Sequence, residues 1–208
     1  MNTYKTQQEE FWAGEFGDYY IKRNNGEWLL ASNIALFSSI LNRTRGVKSI
    51  IEYGANIGMN IRALEKLAPT AELNAIEINK KAVDELKKID KIKNIFHKSI
   101  LDFKTEKKFD FVFTKGVLIH VSPDFLKDVY KSMYEASSKY ICMIEYYNPS
   151  PMEIPYRGNS EKMYKRDFAG EIMDMYPDLE LVDYGFIYHK DPVFLQGDLT
   201  WFLMEKRG

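Results

Sequence analysis

The sequence is poor in cysteine: Cys142 is the only one in 208 residues. A single thiol excludes an intrachain disulfide and a thiolate cage around a metal, and no other ligand cluster argues for a metal. Histidine is scarce as well, with three copies, His97, His120 and His189. Neither sign of charge dominates, since Lys plus Arg number 29 and Asp plus Glu 30. Dedicated nucleic-acid binders and polybasic membrane binders need a basic surplus to displace counterions, so neither partner is expected. No apolar run approaches the roughly 20 residues of a membrane-spanning helix. The opening residues, Met1 to Glu10, are polar and have no apolar core of the signal-peptide kind, so a cytoplasmic location is expected. There is no internal repeat and no low-complexity linker.

Aromatic residues are plentiful: 14 Tyr, 13 Phe and 3 Trp make up 14% of the chain, too many for a disordered segment. At roughly 150 residues per domain the length predicts one domain over 1–208 with a core that needs no staples. Three stretches differ in character. Residues 1–45 read as helical, 46–146 alternate short β-branched runs with helices, and 147–208 hold a proline-rich loop, a helix and a hairpin.

Helices are expected over 8–16 and 29–41, the latter with Leu29, Leu30, Asn33, Ile34, Phe37, Ile40 and Leu41 on one face. Strands follow at 47–53, 73–78, 92–97, 109–113 and 140–146, with helices at 60–67, 80–89 and 123–137, the last capped by Ser122. Strands and helices alternating at this spacing give βαβ units, right-handed crossovers and a parallel sheet. Residues 148–159 carry Pro149, Pro151 and Pro155 and read as a loop, followed by a helix over 166–175. Strands at 179–188 and 200–205 are too close for a crossover helix, so they form an antiparallel hairpin.

The segment Glu52-Tyr53-Gly54-Ala55-Asn56-Ile57-Gly58 ends the first strand and opens a helix. A dinucleotide fingerprint would need G-x-G-x-x-G to seat a pyrophosphate. Here Asn56 replaces the middle glycine and Gly58 arrives one place early. Glu52 would repel a phosphate and attract an ammonium group. Glu77 closes the second strand, where a carboxylate can accept two hydrogen bonds from a ribose diol. A ribose, a positive head and no phosphate describe S-adenosylmethionine. Each carboxylate alone could be an ordinary strand-end residue; their joint placement around a glycine turn favours the cofactor. Ser99 and Ile100 after the third strand could meet adenine, and Thr114, Lys115 and Gly116 after the fourth could meet the methionine part. Ser99 could equally serve a turn.

These residues resemble the class I S-adenosylmethionine-dependent methyltransferases, and more closely the small methylases associated with pseudaminic acid biosynthesis. The resemblance runs through Glu10-Phe11-Trp12-Ala13-Gly14-Glu15-Phe16-Gly17, Gly54-Ala55-Asn56-Ile57-Gly58 and Thr114-Lys115-Gly116-Val117-Leu118-Ile119-His120. It continues in Glu145-Tyr146-Tyr147-Asn148-Pro149, Tyr156-Arg157-Gly158, Lys165-Arg166-Asp167-Phe168 and Asp183-Tyr184-Gly185-Phe186. It implies a Rossmann-like α/β fold: a seven-stranded, mostly parallel sheet with an antiparallel C-terminal hairpin, helices on both faces and an N-terminal helical lid. It implies methyl transfer from S-adenosylmethionine and an association with nonulosonic-acid sugars, without naming the acceptor. As lid residues, Trp12, Tyr20 and Arg23 would cover the cofactor, although Trp12 could be plain core.

Methyl transfer to a hydroxyl needs alignment of the nucleophile and removal of a proton. His120 is the candidate base, with a capping or core histidine as the alternative. At the end of the fifth strand, Tyr146 and Tyr147 point to opposite faces, so at most one enters the site, and Asn148 could hold a hydroxyl. Arg157, Lys162, Lys165 and Arg166 form a cationic cluster suited to an acidic small-molecule acceptor, or else a solvated face paired with Glu161, Asp167 and Glu171. His189 could face the acceptor from the hairpin tip. A cofactor-binding protein without catalysis is the rival reading. A nicotinamide dehydrogenase is disfavoured by the missing phosphate fingerprint. The sequence leaves oligomeric state open.

Overall fold

The computed structural model describes residues 4–23, 26–158 and 162–207, apart from the side chains of Lys22 and Arg23. Strands β1 (Ser49–Tyr53), β2 (Glu72–Glu77), β3 (Ile92–His97), β4 (Phe109–Lys115) and β5 (Ser137–Glu145) are parallel. Strand β8 (Leu179–Phe186) and strand β9 (Thr200–Lys206) complete a seven-stranded sheet in the order β3-β2-β1-β4-β5-β9-β8, in which β9 alone runs antiparallel. The order reverses between β1 and β4. Above the carboxyl ends of strands at such a switch point, a crevice opens.

The strands form because short runs of apolar, mostly β-branched residues can be buried on both faces. Along β1, Ile50 enters one core and Ile51 the other. Helices α3 (Glu27–Leu41), α4 (Met59–Leu67) and α5 (Lys80–Leu86) supply Phe37, Ile61, Leu64 and Leu86 to the first core. Helices α6 (Leu126–Ala136) and α7 (Phe168–Met175) supply Val129, Met133 and Ile172 to the second. Cys142 is a buried core residue of β5 whose thiol burial pushes far above its ordinary ionisation range.

Several expected elements differ. The first helix is two, α1 (Gln7–Ala13) and α2 (Glu15–Arg23), separated at Gly14. The expected helix over 123–137 begins as a 3-10 turn, Pro123–Phe125, and Ser122 makes no capping bond with its side chain. Within the proline loop, β6 (Met152–Glu153) pairs antiparallel with β7 (Tyr164–Lys165). Two-residue strands have no readable period, which is why the prolines dominated the sequence signal.

At the amino edge of the sheet Asp110 ties three strands together. Its carboxylate accepts from Lys48 N, Ser49 N and Ser49 Oγ on the β1 side and from Ser138 Oγ of β5. Burial works to raise its pKa, and these donors hold it below the ordinary value. Asp110→Ala is expected to cost about 0.5–1.5 kcal/mol of unfolding free energy, the net worth of hydrogen bonds that water can partly replace. The depressed pKa means this stability is present above the ordinary aspartate range and is lost as pH falls through the folded value. Urea titrations of both proteins at neutral and acid pH check it, and equal midpoints would remove Asp110 from the strand register.

Candidate functional site

The turn after β1 is built by backbone bonds. Gly54 N and Ala55 N both donate to Ile76 O at 2.9 Å, and Gly58 N donates to Ala55 O. Gly54 and Gly58 have φ of 78° and 81°, and Asn56 takes the same left-handed region at 48°. Asparagine tolerates that conformation better than other side chains, so it can stand where a glycine is usual. Gly58 is further constrained, because a Cβ there would meet Ile89 Cδ1 at 2.6 Å and Leu86 Cδ2 at 2.8 Å.

Glu77 fastens this turn to the next one. Its Oε2 accepts from Asn56 N and its Oε1 from Asn79 N, both at 2.7 Å. Burial raises its pKa, and the amide donors oppose the shift. Asn79 caps α5 by accepting from Ala82 N, while its Nδ2 faces Trp12 O, Ala13 O and Asp18 Oδ1 at 3.0–3.4 Å. Asp18 also pairs with Lys81 of α5. Together these bonds dock α1 and α2 over the crevice as a lid. Gly17 sits at the contact, where a Cβ would lie 2.0 Å from Trp12 O.

The cavity is lined by Trp12 and Tyr20 of the lid, Gly54 and Asn56 of the turn, Glu77, Ser99, Ile100, Lys115, Gly116 and His120. Ser99 Oγ accepts from Leu101 N, so the hydroxyl shapes the turn as well as facing the cavity. Glu145, wholly buried at the end of β5, accepts from the amides of Val117, Leu118 and Ile119. Burial raises its pKa to about 7, and the three amides oppose that. This carboxylate fixes the β4 loop that carries His120.

His120 is nine-tenths buried. Its Nδ1 lies 2.6 Å from Lys162 O, which can only accept, so Nδ1 carries the proton and Nε2 is left with a lone pair. Burial lowers its pKa to about 4, against the opposing carbonyl bond. Its ring lies 4.6 Å from Trp12 and 4.9 Å from Tyr156, centroid to centroid.

Other expected site residues lie elsewhere. Glu52 is fully buried beneath the cavity wall, where Oε1 accepts from Asn60 Nδ2 at 2.6 Å, and burial raises its pKa to about 8. Thr114 is also fully buried, beside Glu145 and behind the wall formed by Lys115 and Gly116. Tyr146 stands outside the cavity with Lys165 Nζ 5.1 Å from its ring and its phenol against Gly197 of the hairpin tip. Tyr147 turns the other way and lies against Phe202 of β9, exposed, which removes it from the cavity side. Asn148 donates to Ser150 O within its loop, and His189 pairs with Asp198 on the exposed tip. Arg157, in a left-handed turn, is exposed beside Tyr156. Arg166 leaves the cationic cluster because Glu171 takes its Nε and a terminal nitrogen. The side chain of Arg23 lies outside the described residues.

Sequence reasoning missed Thr6, Glu9, Asn33, Asn60 and Asn79, all cavity-lining. Two carried a signal: Asn33 is a polar residue on an apolar helix stripe, and Asn79 precedes a helix as an N-cap should. No His, Cys, Asp or Glu group able to hold a metal occurs among the described residues. None of the described helices is long and apolar enough to cross a membrane.

The folded pKa of His120 lies below the roughly 6.5 of an unfolded histidine. The unfolded chain therefore takes up this proton first on acidification. Stability from burying neutral His120 is present above pH about 6.5 and is lost as pH falls through about 4. His120→Gln is expected to flatten that part of the stability curve, measured by urea midpoints from pH 4 to 7. An unchanged slope would mean the ring is hydrated.

No family model and no curated protein matches the sequence. Solved structures do match. An S-adenosylmethionine-dependent methyltransferase of Leishmania major superposes with a TM-score of 0.73 at 14% identity, over 95% of this chain and 81% of that one. The plantazolicin methyltransferase in complex with SAH superposes at 0.70 and 12% identity, over 97% and 94%. The magnesium protoporphyrin IX methyltransferase of Synechocystis superposes at 0.69 and 11% identity, over 100% of both chains. The chain has the Rossmann-like methyltransferase fold, its mostly parallel sheet finished by an antiparallel hairpin.

Proposed function

We propose that this protein transfers a methyl group from S-adenosylmethionine to a small acceptor. One observation carries the reading: the cavity at the switch point ends at Glu77, a carboxylate already oriented by two amides and still part of the cavity wall. Each of its oxygens has a second lone pair, which suits a ribose diol. Glu77, an acceptor already holding two amides, disfavours a pyrophosphate at this turn. At Gly116, φ is 65° and a Cβ would meet nothing within 4 Å, so the backbone there leaves room for a ligand. The residues therefore fit S-adenosylmethionine, with Ser99 and Ile100 at adenine, Trp12 and Tyr20 above, and Lys115 and Gly116 at the methionine end. When bound, the cofactor supplies an electrophilic methyl on a sulfonium.

The chain's own work is positioning, drying and proton removal. The lid and its aromatic rings exclude water, and neutral His120 holds Nε2 ready to accept a proton from an acceptor hydroxyl. Tyr146, outside the cavity beside Lys165, is proposed to meet the acceptor as it approaches. The acceptor is proposed to be acidic and sugar-derived, of the nonulosonic-acid or nucleotide-sugar kind. Support comes from the sequence resemblance, from Arg157 beside Tyr156, and from Lys165 over Tyr146. Its pairing with Glu171 leaves Arg166 no part in this, and Tyr147, Asn148 and His189 have internal partners instead.

Calorimetry with S-adenosylmethionine is expected to give saturable binding. Glu77→Ala should weaken it by about 1.5–3 kcal/mol, the usual worth of hydrogen bonds to a charged group. Undiminished affinity would take Glu77 out of the site. Transfer of a tritiated methyl group into a metabolite extract, with mass identification of the product, names the acceptor. Cofactor binding without any transfer would leave a binding protein.

A further inference from the structure

One face of the sheet is left uncovered at its β8 end. In the pairing of β8 with β9, Leu181, Tyr184 and Phe186 stand opposite Met204, Phe202 and Thr200, which places them on the α7 side of the sheet. Helix α7 has only eight residues and packs on β5, so this end of the face stays open. An aromatic row results. Tyr147 lies 5.6 Å from Phe202, Phe202 6.1 Å from Tyr184, and Phe186 6.2 Å from Tyr188, centroid to centroid. Tyr184 and Phe186 are 63% and 62% exposed, and Tyr147 and Tyr188 are exposed as well. At about 150–250 Å² per aromatic side chain, these four leave roughly 400 Å² of apolar surface in water. None of the four lines the cavity.

The row runs along the edge of the sheet, where β8 has a neighbouring strand on one side only. Ile187 N donates inward to Leu199 O, so alternation turns the N–H and C=O of Tyr184 and Phe186 outward. Tyr184 N meets Asp183 Oδ1 at 2.9 Å, a bond that the carbonyl of a partner strand can take over. A register shift between Leu181 and Asp183 interrupts the edge there, so its open length is 183–188. Edge strands are commonly kept apart by lysine or proline. At the opposite edge, β3 carries exposed Lys93, with exposed Lys91 and Lys98 beside its ends. Residues 179–188 contain no Lys, Arg or Pro. The carboxylates of β8 are already taken within the chain, Asp183 by Arg43 at 2.8 Å and Glu180 by Arg207 at 2.6 Å. An unguarded edge with neutralised charges, beside an apolar row, suits a second surface of the same kind.

We propose that the β8 edge is an interface between two copies of this chain. A two-fold axis perpendicular to the sheet sets the two β8 strands antiparallel, with Tyr184 and Phe186 supplying main-chain donors and acceptors across the junction. That axis keeps like faces on the same side, so the two aromatic rows meet side by side and cover each other. A standard interface takes about 800 Å² from each partner, and the four rings alone supply about half of it before Leu181 and the strand backbone are counted. Once the β8 edges are joined, only the lysine-guarded β3 edges remain, so assembly stops at two.

Sedimentation velocity of the full chain across micromolar concentrations is expected to show a reversible monomer–dimer equilibrium. Amide exchange at Tyr184 and Phe186 is expected to slow as the dimer forms. Tyr184→Lys combined with Phe186→Lys should weaken dimerisation by at least about a hundredfold, by setting like charges against each other across the axis. Phe186→Pro should weaken it too, because it removes an outward donor and spares the bonds to β9. Urea midpoints show whether each variant folds, and where one does not, the exchange measurement on the wild type decides. A wild type that stays monomeric throughout overturns the proposal. So does a dimer that survives both variants, or one in which the amides of Tyr184 and Phe186 exchange as fast as in the monomer, since its interface then lies elsewhere. Association that continues past two copies overturns the two-fold closure. A monomer that floats with phosphatidylcholine vesicles gives the aromatic row to a lipid surface instead.

Discussion

The two amide bonds accepted by Glu77 are the constraint on which the site depends. One comes from the turn after β1 and the other from the residue that starts α5. A single carboxylate thus fixes the distance between two loops that sequence separates by more than twenty residues. The second of these amides belongs to Asn79, whose side chain reaches the lid. Cavity floor, helix start and lid are consecutive links of one hydrogen-bonded chain. Burying that carboxylate is unfavourable in itself, and the raised pKa records the cost. Ordering three segments at once is what the burial achieves.

The same device recurs along the carboxyl edge of the sheet. Glu52 ends β1 and holds Asn60 at the start of α4, and Glu145 ends β5 and holds three amides of the loop after β4. Three strands therefore carry a buried carboxylate at or next to their last residue; Glu77 and Glu145 each reach a loop that follows another strand, and Glu52 reaches the helix that follows its own. Because Glu77 and Glu145 are satisfied by backbone N–H groups, the loops they hold need no particular side chains for it. Their side chains are released for contact with a ligand.

Much of this could be read in the chain. The strand positions followed from β-branched runs, the turn from Gly54 and Gly58, and the place of Glu77 from its position at the end of β2. What the sequence hid depends on contacts between distant segments. The lid dock joins Asn79 to Trp12 and Asp18, more than sixty residues apart, and no local pattern announces it. Within the cationic cluster, Glu171 takes up Arg166, five residues before it, while the other members lie against aromatic rings. Alternation along a strand put Tyr146 and Tyr147 on opposite faces; only packing showed that Tyr147 lies against Phe202 while Tyr146 meets Lys165 and the hairpin tip outside the cavity. Glu52 was legible as a charge near the turn, but its depth was not, since depth is a property of the assembled wall.

Trp12 of the lid lies directly against the ring of His120. Dryness is what keeps that imidazole neutral, and the lid supplies part of the dryness. Any excursion that lifts Trp12 away admits water and returns the ring toward its ordinary affinity for protons. Closure of the lid and release of a proton are therefore two faces of one equilibrium. A ligand that draws the lid shut therefore also favours the neutral form of His120.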